Sequence, residues 1–254
     1  MRKQENKDLK LNKKMIPFNF KTYKKNLLFV DIETIGDIKK GEKAFPYDVS
    51  IMIVNNETNE MLYKKAFINS KLFYNKLAMS SAFYNNQDFY IDKLANDNDY
   101  ILLKDYEIAQ LLNDLIKKYN ITTMVAYNCQ FDRKGLDNLY SLCPSVKNGI
   151  SKLLLVDLWE YAYQVCGHSE KYKQWCLKHN YITKKGTNYL SNAETVYKFV
   201  SETPDFKEKH TGLCDLDIEL LLFKAFRKIH PRLYPNELCG GHKFLKGGLL
   251  RTDS

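Results

Sequence analysis

Long hydrophobic runs are missing from this sequence. No apolar segment approaches the ~18–20 residues that a transmembrane helix needs. The charged N-terminal segment also has no apolar stretch of the kind found in signal peptides. We therefore expect a cytoplasmic protein that has no membrane partner.

Paired cysteines are missing as well. The six cysteines form no C-x-x-C motif and are scattered at positions 129, 143, 166, 176, 214 and 239. In a chain without an export signal, this scatter is typical of reduced thiols and not of a disulfide framework. Cys239 and His242 have the spacing of half a zinc site, but no second pair matches it. We therefore expect no zinc site.

Acidic residues are scarce near the N-terminus. The chain has 254 residues and a net charge of +9, from 39 Lys and Arg against 30 Asp and Glu. Residues 1–26 hold nine basic and two acidic residues, and so carry +7 of that charge. We predict a flexible basic arm over 1–26, which either contacts polyanions or is only a solvated tail. Hydrophobic residues make up 44% of the chain, which excludes a mostly disordered protein.

The hydrophobic pattern predicts one α/β domain over 27–230, followed by a C-terminal tail over 231–254. Its first strand is a nearly continuous apolar run, as expected for a strand that is buried on both faces. Residues 70–104 are predicted to form helical turns and loops. Predicted strands lie at 26–33, 47–54, 61–68, 122–127 and 153–159, and predicted helices at 105–119, 131–142, 172–179, 192–200 and 213–229. This order indicates a mixed five-stranded sheet, antiparallel over its first three strands, with flanking helices.

Two acids stand at the end of the first strand. Residues i and i+2 of a strand point to one face, so Asp31 and Glu33 lie side by side while Ile32 enters the core. A hard divalent cation between two such carboxylates allows both to stay ionised. The alternative is a polar strand end that leads into a turn at Gly36.

A third acid follows the strand that ends at Asn128. Asp132 shares a helical face with Leu136 and Leu139, so it points inward. The alternative is an ordinary acid in a first helical turn, where the helix dipole favours negative charge.

A fourth acid opens the last long helix. Asp215 lies on the same stripe as Ile218 and Leu222 and faces the body of the protein. Asp217 lies ~200° around the helix, on an exposed edge. We interpret Asp215, and not Asp217 or Glu219, as the inward acid.

Together these residues indicate metal-dependent phosphodiester chemistry. Four carboxylates in one site are not tolerated without cations. Two divalent ions ~4 Å apart can activate a water and stabilise the charged phosphorus centre. His210, five residues before Asp215, can take the proton of that water. A lone histidine at such a position is otherwise a surface residue.

The same residues resemble the three motifs of the DEDDh branch of the DEDD 3′–5′ exonuclease superfamily. Residues 29–36 match the first motif, 125–132 the second, and His210-x4-Asp215 the third, over about 27–230. The branch defined by a tyrosine is excluded, because position 211 is threonine. The surroundings of His210 are most similar to DNA polymerase III epsilon-like exonucleases of bacterial viruses, which would place the protein in a host cytoplasm. Two positions depart from residues common in the family without removing a ligand: Tyr127 and Gly212.

The resemblance implies a ribonuclease H-like fold and a 3′–5′ exonuclease of DNA replication or repair. Its substrate would be single-stranded 3′ ends, with DNA favoured over RNA. Two Mg²⁺ or Mn²⁺ ions are implied: Asp31, Glu33 and Asp215 would hold the first, and Asp31 would also reach the second. Asp132 would complete the site directly or through water. His210 would be the general base. The residues implied to lie along the terminal nucleotide are Thr34, Ile35 and Asn128.

Two alternatives with the same fold stay open. One is a nucleic-acid-binding protein without catalytic activity, although all five catalytic positions are filled. The other is a subunit that docks on a DNA polymerase through the arm or the tail. Aromatic side chains could stack on unpaired bases or belong to the core; the candidates are Phe83, Tyr84, Phe89 and Tyr90.

Overall fold

The computed structural model describes residues 18–36, 43–167, 169–184, 186 and 188–233. The predicted arm before residue 18, the pair Cys239 and His242, and the predicted tail beyond 233 lie outside the described residues. The domain boundaries at 27 and 230 stay predictions. In the described part of the chain, no helix is long and apolar enough to cross a membrane.

Among the described residues, six strands form one mixed sheet. They are β1 (Asn26–Ile35), β2 (Phe45–Asn55), β3 (Met61–Asn69), β4 (Tyr100–Leu103), β5 (Thr123–Ala126) and β6 (Leu154–Asp157). Their order across the sheet is β4-β3-β2-β1-β5-β6. The first three strands pair antiparallel, while β4, β5 and β6 pair in parallel with β3, β1 and β5. The predicted mixed sheet with an antiparallel opening is confirmed.

The prediction of five strands was wrong, because β4 lies in the stretch predicted as helical turns and loops. Tyr100–Leu103 is only four residues long, and periodicity cannot distinguish a strand from a helix in so short an apolar run. The partner decides its conformation: β4 pairs with the end of β3, from Ala66↔Tyr100 to Asn69↔Leu103.

The described residues contain nine α-helices. Five of them match predicted helices, and three lie in the stretch predicted to form helical turns and loops. One was not predicted, because the run 153–159 had been assigned to a strand. That strand ends at Asp157, whose carboxylate accepts a hydrogen bond from the N–H of Trp159 at 2.8 Å and caps a helix. The helices are α1 (Ser70–Phe73), α2 (Lys76–Met79), α3 (Gln87–Asn96), α4 (Asp105–Lys118), α5 (Cys129–Ser141), α6 (Leu158–Cys166), α7 (Glu170–Lys178), α8 (Ala193–Val200) and α9 (Gly212–Ile229).

The sheet has a hydrophobic core on each face, which explains the apolar character of β1. Phe29 packs on the face covered by α6, α8 and α9, and Val30 packs on the face covered by α4 and α5. Because residues of a strand alternate between faces, Asp31 and Glu33 continue the side of Phe29 and meet α9. Ile32 is buried on the opposite face, as predicted.

The two ends of the described chain lie together. Phe18–Asn19 pairs antiparallel with Arg232–Leu233. Phe20 is buried in the core against Phe223, and Tyr23 packs against the same core. These contacts hold the segment that leads into β1, and so fix where the acid-bearing strand begins.

Candidate metal centre

Three carboxylates meet where β1 approaches the start of α9. Asp31 and Glu33 come from β1, and Asp215 comes from the first turn of α9. One oxygen from each of the three side chains lies within 4.8 Å of the other two. Oxygens that share one divalent cation at roughly 2.0–2.6 Å are at most about 5 Å apart. The three carboxylates can therefore bind a single cation together.

A β-bulge shapes the end of β1. Glu33 pairs with Asp48, but the next residue, Thr34, pairs with Pro46, so Tyr47 is an extra residue in β2. Bulges bend a strand and re-aim its side chains, and they are frequent beside active sites. This bulge lies next to the three-carboxylate group.

Asp48 holds the start of α9 beside the acids. It is fully buried and accepts hydrogen bonds from the Tyr90 hydroxyl at 2.6 Å, the Ser50 hydroxyl at 2.8 Å and the Gly212 N–H at 3.3 Å. Burial raises the pKa of Asp48 to about 6, and these three donors limit the rise. Asp48 was not predicted as a site residue, although an acid inside an apolar strand was a signal.

Gly212→Ala is expected to destabilise the protein. A Cβ at position 212 would lie 2.4 Å from Ser50 Oγ and 2.5 Å from Ser50 Cβ. The start of α9 would then have to move away from β2, and Asp215 with it. We expect a loss of ~1–3 kcal/mol in the free energy of unfolding, measured by urea denaturation. Asp217→Ala, on the exposed side of α9, is the control, and an unchanged urea midpoint for Gly212→Ala would contradict this packing.

Asp132 reaches the site from α5. This helix packs closely on β1 because Gly135 faces Ile32, where a Cβ would lie 2.1 Å from Ile32 Cδ1. Asp132 is buried, as predicted, and its Oδ1 accepts a hydrogen bond from the Ile32 N–H at 3.3 Å. Burial and the charge of Asp31 raise its pKa well above the ordinary value. Asp132 lies beside the three-carboxylate group but not inside its 4.8 Å limit.

Glu219 is a fifth buried acid, and the prediction that it does not point inward was wrong. Four helical residues advance ~400°, so Glu219 lies within ~40° of Asp215, one turn further along α9. It is only 2% exposed, and its Oε1 accepts a hydrogen bond from the Tyr127 N–H at 2.8 Å. Asp217 is exposed, as predicted, and pairs with Lys64 Nζ at 2.6 Å.

Burial and mutual repulsion raise the pKa values of these acids. Burial raises the pKa of Glu33 to about 11 and that of Asp215 to about 10, and the charge of Asp31 adds to both. Burial also raises the pKa values of Asp31 and Glu219 well above their ordinary range. Within this group of acids, three buried oxygens have no hydrogen-bond partner among the described residues: Asp31 Oδ2, Asp215 Oδ1 and Glu219 Oε2. Unpartnered carboxylate oxygens suit hard divalent cations, so the residues fit Mg²⁺ or Mn²⁺.

In the absence of divalent cations, the stability of the protein is expected to fall as the pH rises. Carboxyl groups of the unfolded chain ionise near pH ~4, but Glu33 and Asp215 keep their protons up to about pH 11 and about pH 10 when folded. Between these limits the folded state binds more protons, so the free energy of unfolding decreases with rising pH. Melting temperatures in a chelator should therefore fall between about pH 5 and about pH 8.

Added Mn²⁺ should oppose this loss. A cation that binds the folded protein stabilises it by mass action, and ionisation of the acids favours its binding. The increase in melting temperature caused by Mn²⁺ should thus grow with pH. A chelator series in which the melting temperature stays constant or rises with pH would contradict this description of the site.

His210 stands at the entry to α9, in a left-handed backbone conformation with φ of 52°. Its ring stacks on Tyr84 with the centroids 3.9 Å apart, and its carbonyl accepts a hydrogen bond from Asn86 Nδ2 at 2.7 Å. Its Nδ1 lies 3.5 Å from a carboxylate oxygen of Glu208. Burial lowers the pKa of His210, although the charge of Glu194 opposes this. The ring is therefore neutral near pH 7 and can accept a proton.

A second group of potential ligands surrounds this histidine. Atoms of Glu194, Glu208 and His210 lie within 4.8 Å of one another. Lys198 Nζ contacts Glu194 Oε1 at 2.5 Å and so supplies a positive charge. Burial and the charge of Glu194 raise the pKa of Glu208 to about 7, and Lys198 opposes the rise. We assign no cation to this group, because the lysine already provides the counter-charge.

The four aromatic candidates for base stacking differ in exposure. Phe83 is 69% exposed, and its N–H lies 3.4 Å from the carbonyl oxygen of Thr34, at the end of β1. Tyr84 is partly buried under His210. The other two belong to or pack against the core: Tyr90 and Phe89. Phe83 is therefore the candidate best placed to contact a base.

The three predicted nucleotide-binding residues frame the same end of the sheet. Thr34 and Ile35 are the last two residues of β1 that pair with β2, and both residues are buried. Asn128 is exposed and has a left-handed conformation at the start of α5. Their role in binding stays a prediction.

Several solved structures share this architecture. Exonuclease I of E. coli in complex with a dA16 oligonucleotide matches with a TM-score of 0.50 and 13% identity, over 82% of this chain and 41% of that chain. The zinc-bound form of the complex of E. coli exonuclease I with single-stranded DNA matches with a TM-score of 0.52 and 13% identity, over 84% and 42%. A 3′-exonuclease that recognises the 3′ end of the histone mRNA stem-loop matches with a TM-score of 0.51 and 10% identity, over 81% and 65%.

No protein-family model and no curated protein matches the chain. The chain spans less than half of the length of exonuclease I. At identities of 10–13%, the likeness shows the fold and not the roles of residues. The chain thus has the α/β, ribonuclease H-like fold of these 3′-exonucleases, with its mixed sheet flanked by helices.

Proposed function

We propose that the chain is a metal-dependent 3′→5′ exonuclease that hydrolyses phosphodiester bonds at single-stranded 3′ ends, preferring DNA to RNA. The observation that carries the proposal is the group of Asp31, Glu33 and Asp215, whose oxygens lie within 4.8 Å of one another. The shared fold supports it, because structures with this fold include an exonuclease in complex with a dA16 oligonucleotide and a 3′-exonuclease that recognises the 3′ end of an mRNA stem-loop.

The acids are proposed to hold two Mg²⁺ or Mn²⁺ ions. Asp31, Glu33 and Asp215 would bind one ion, and Asp31 and Asp132 would bind the other. Such ions lower the pKa of a water and neutralise charge on the phosphoryl group. The unpartnered oxygens of Asp31 and Asp215 support this assignment, because a buried carboxylate oxygen without a partner is costly.

His210 is proposed to remove the proton from the attacking water. Its lowered pKa keeps the ring neutral, as a base must be before it accepts a proton. Glu208, 3.5 Å from Nδ1, favours the tautomer with a proton on that nitrogen and leaves Nε2 to accept one. The stacked Tyr84 limits movement of the ring.

Single strands are the proposed substrate because an exposed aromatic residue contacts the backbone of Thr34, the residue that follows Glu33. Phe83 follows the end of β1 and can stack on an unpaired base without reading its sequence. Thr34, Ile35 and Asn128 would lie along the terminal nucleotide. The preference for DNA is proposed from the resemblance of the residues around His210 to DNA polymerase III epsilon-like exonucleases.

A nuclease assay tests the proposal. Matched DNA and RNA oligonucleotides, single-stranded and duplex, would be labelled at the 5′ end and incubated with wild-type protein or Asp31→Ala. With Mg²⁺ or Mn²⁺, we expect wild type to shorten single-stranded DNA stepwise from its 3′ end. We expect no shortening by wild type in a chelator, and none by Asp31→Ala. If wild type binds the strands and shortens none of them, the chain is instead a catalytically silent nucleic-acid-binding or polymerase-docking protein.

A further inference from the structure

Glu219 lies at the junction between β5 and α5, beside Asp31. Its Oε1 accepts a hydrogen bond from the N–H of Tyr127, the residue that follows β5. The parallel pairing of β1 with β5 matches Leu28 with Met124 and Phe29 with Val125. Two residues further along in the same register, Tyr127 lies opposite Asp31. The hydrogen bond therefore fixes the Glu219 carboxylate at the strand end where the first acid of the site stands.

The second oxygen of Glu219 has no partner. Oε2 is buried without a hydrogen bond, and the residue as a whole is 2% exposed. Burying an unpartnered carboxylate oxygen is costly, because the charge or the proton it carries loses its contacts with water. The same condition holds for Asp31 Oδ2 and Asp215 Oδ1. Three unpartnered oxygens from neighbouring acids indicate that a shared ligand binds between them.

The position of Tyr127 indicates which side of the site Glu219 faces. The charges of Asp31 and Asp132 add to the burial that raises the pKa of Glu219. Asp132 lies in the first turn of α5, just after the β5–α5 junction that carries Tyr127. The hydrogen bond to Tyr127, at the junction that leads into the first turn of α5, therefore places Glu219 on the side of Asp31 and Asp132.

We propose that Glu219 is a fifth carboxylate of the metal centre, one that helps Asp31 and Asp132 to hold the second divalent cation. The inference rests on the proposed function only in taking the buried acids to be a site for two cations. It assigns to this chain a ligand outside the four-acid motif, supplied one helical turn after Asp215. Glu219 would bind the cation through its carboxylate and would not contact the substrate.

Calorimetric titration of the metal-free full chain with Mn²⁺, without nucleic acid, tests the proposal. Glu219→Gln keeps the size of the side chain and an oxygen for the Tyr127 N–H, and it removes only the charge. We expect wild type to bind two Mn²⁺ ions and Glu219→Gln to bind the weaker of the two ~10–100-fold less tightly. The matched control is Asp217→Asn, an exposed acid of the same helix that pairs with Lys64, and it should bind as wild type does. Equal affinity and stoichiometry in wild type and Glu219→Gln would overturn the proposal.

Melting temperatures of wild type and Glu219→Gln, with and without Mn²⁺, show whether Glu219 binds the cation or has only a structural role. In a chelator, Glu219→Gln should melt at a higher temperature than wild type, because a buried and repelled acid is removed. In Mn²⁺, its increase in melting temperature should be smaller than that of wild type. An Mn²⁺-induced increase equal to that of wild type would mean that Glu219 only holds the Tyr127 N–H, and would overturn the proposal.

The outcome is independent of cleavage. If wild type binds two Mn²⁺ ions but shortens no nucleic acid, the proposed function is overturned. The Mn²⁺ affinities of wild type and Glu219→Gln would still decide whether Glu219 is a ligand. A wild type that binds no Mn²⁺ would overturn both.

Discussion

Replacing Asp31 with asparagine is expected to lower the rate of 3′→5′ cleavage by ~10³-fold or more. Asp31 belongs to the three-carboxylate group with Glu33 and Asp215, and its charge also raises the pKa values of Asp132 and Glu219. A residue within reach of all the other acids is the one that can bridge two cations. Losing a bridging ligand removes several kcal/mol of transition-state stabilisation, and ~4 kcal/mol corresponds to about 10³-fold in rate.

The measurement is kcat on a 3′-ended single strand at saturating Mn²⁺. Asparagine preserves the shape of the side chain, so the melting temperature in a chelator should not decrease. Asp217→Asn removes an exposed carboxylate of α9 and should cleave at the wild-type rate. Activity of Asp31→Asn within tenfold of wild type would show that the bridging role is wrong.

Replacing His210 with alanine is expected to lower kcat by ~10²–10⁴-fold, the range of a general base. The side chain is not part of the three-carboxylate group, so the affinity for Mn²⁺ should not change. Calorimetric titration with Mn²⁺ and single-turnover cleavage would be measured on the same preparation. His230→Ala is the control, since His230 is exposed and follows the far end of α9. With 18 residues, that helix is ~27 Å long.

The pH dependence of the rate distinguishes a base from a positioning residue. Burial holds the pKa of His210 below its ordinary value, which is ~6.5. The wild-type rate should therefore decline only in acid, as the ring gains a proton, and this decline should be absent in His210→Ala. If the variant keeps both the wild-type rate near pH 7 and the same acid decline, the base is another group.

Much of the site could be predicted from local periodicity. The period of two along a strand places Asp31 and Glu33 on one side, and the helical period turns Asp132 inward with Leu136. Both predictions are confirmed by the burial of the residues that share those faces. The same helical period applies to Glu219, which lies one turn from Asp215; its burial was therefore predictable from the spacing, and our interpretation of it was wrong.

Other features could not be predicted, because they depend on contacts between distant segments. Asp48 becomes part of the site only because β2 pairs with β1 in a register that sets it opposite Glu33. Tyr100–Leu103 is a strand only because the end of β3 is there to pair with it. Tyr84 and His210 are 126 positions apart in the chain, yet their rings stack.

The sequence by itself determined which side chains point inward, because the direction of a side chain follows from backbone geometry over a few residues. It also determined the apolar character of β1 and the alternation of strands and helices. Only the tertiary structure decided which inward acids become neighbours, since strand order, register and the close approaches at Gly135 and Gly212 place them. Electrostatic repulsion acts between neighbours in space. The pKa values of the acids are therefore raised, and cation binding by the group is favoured, only when the chain is folded.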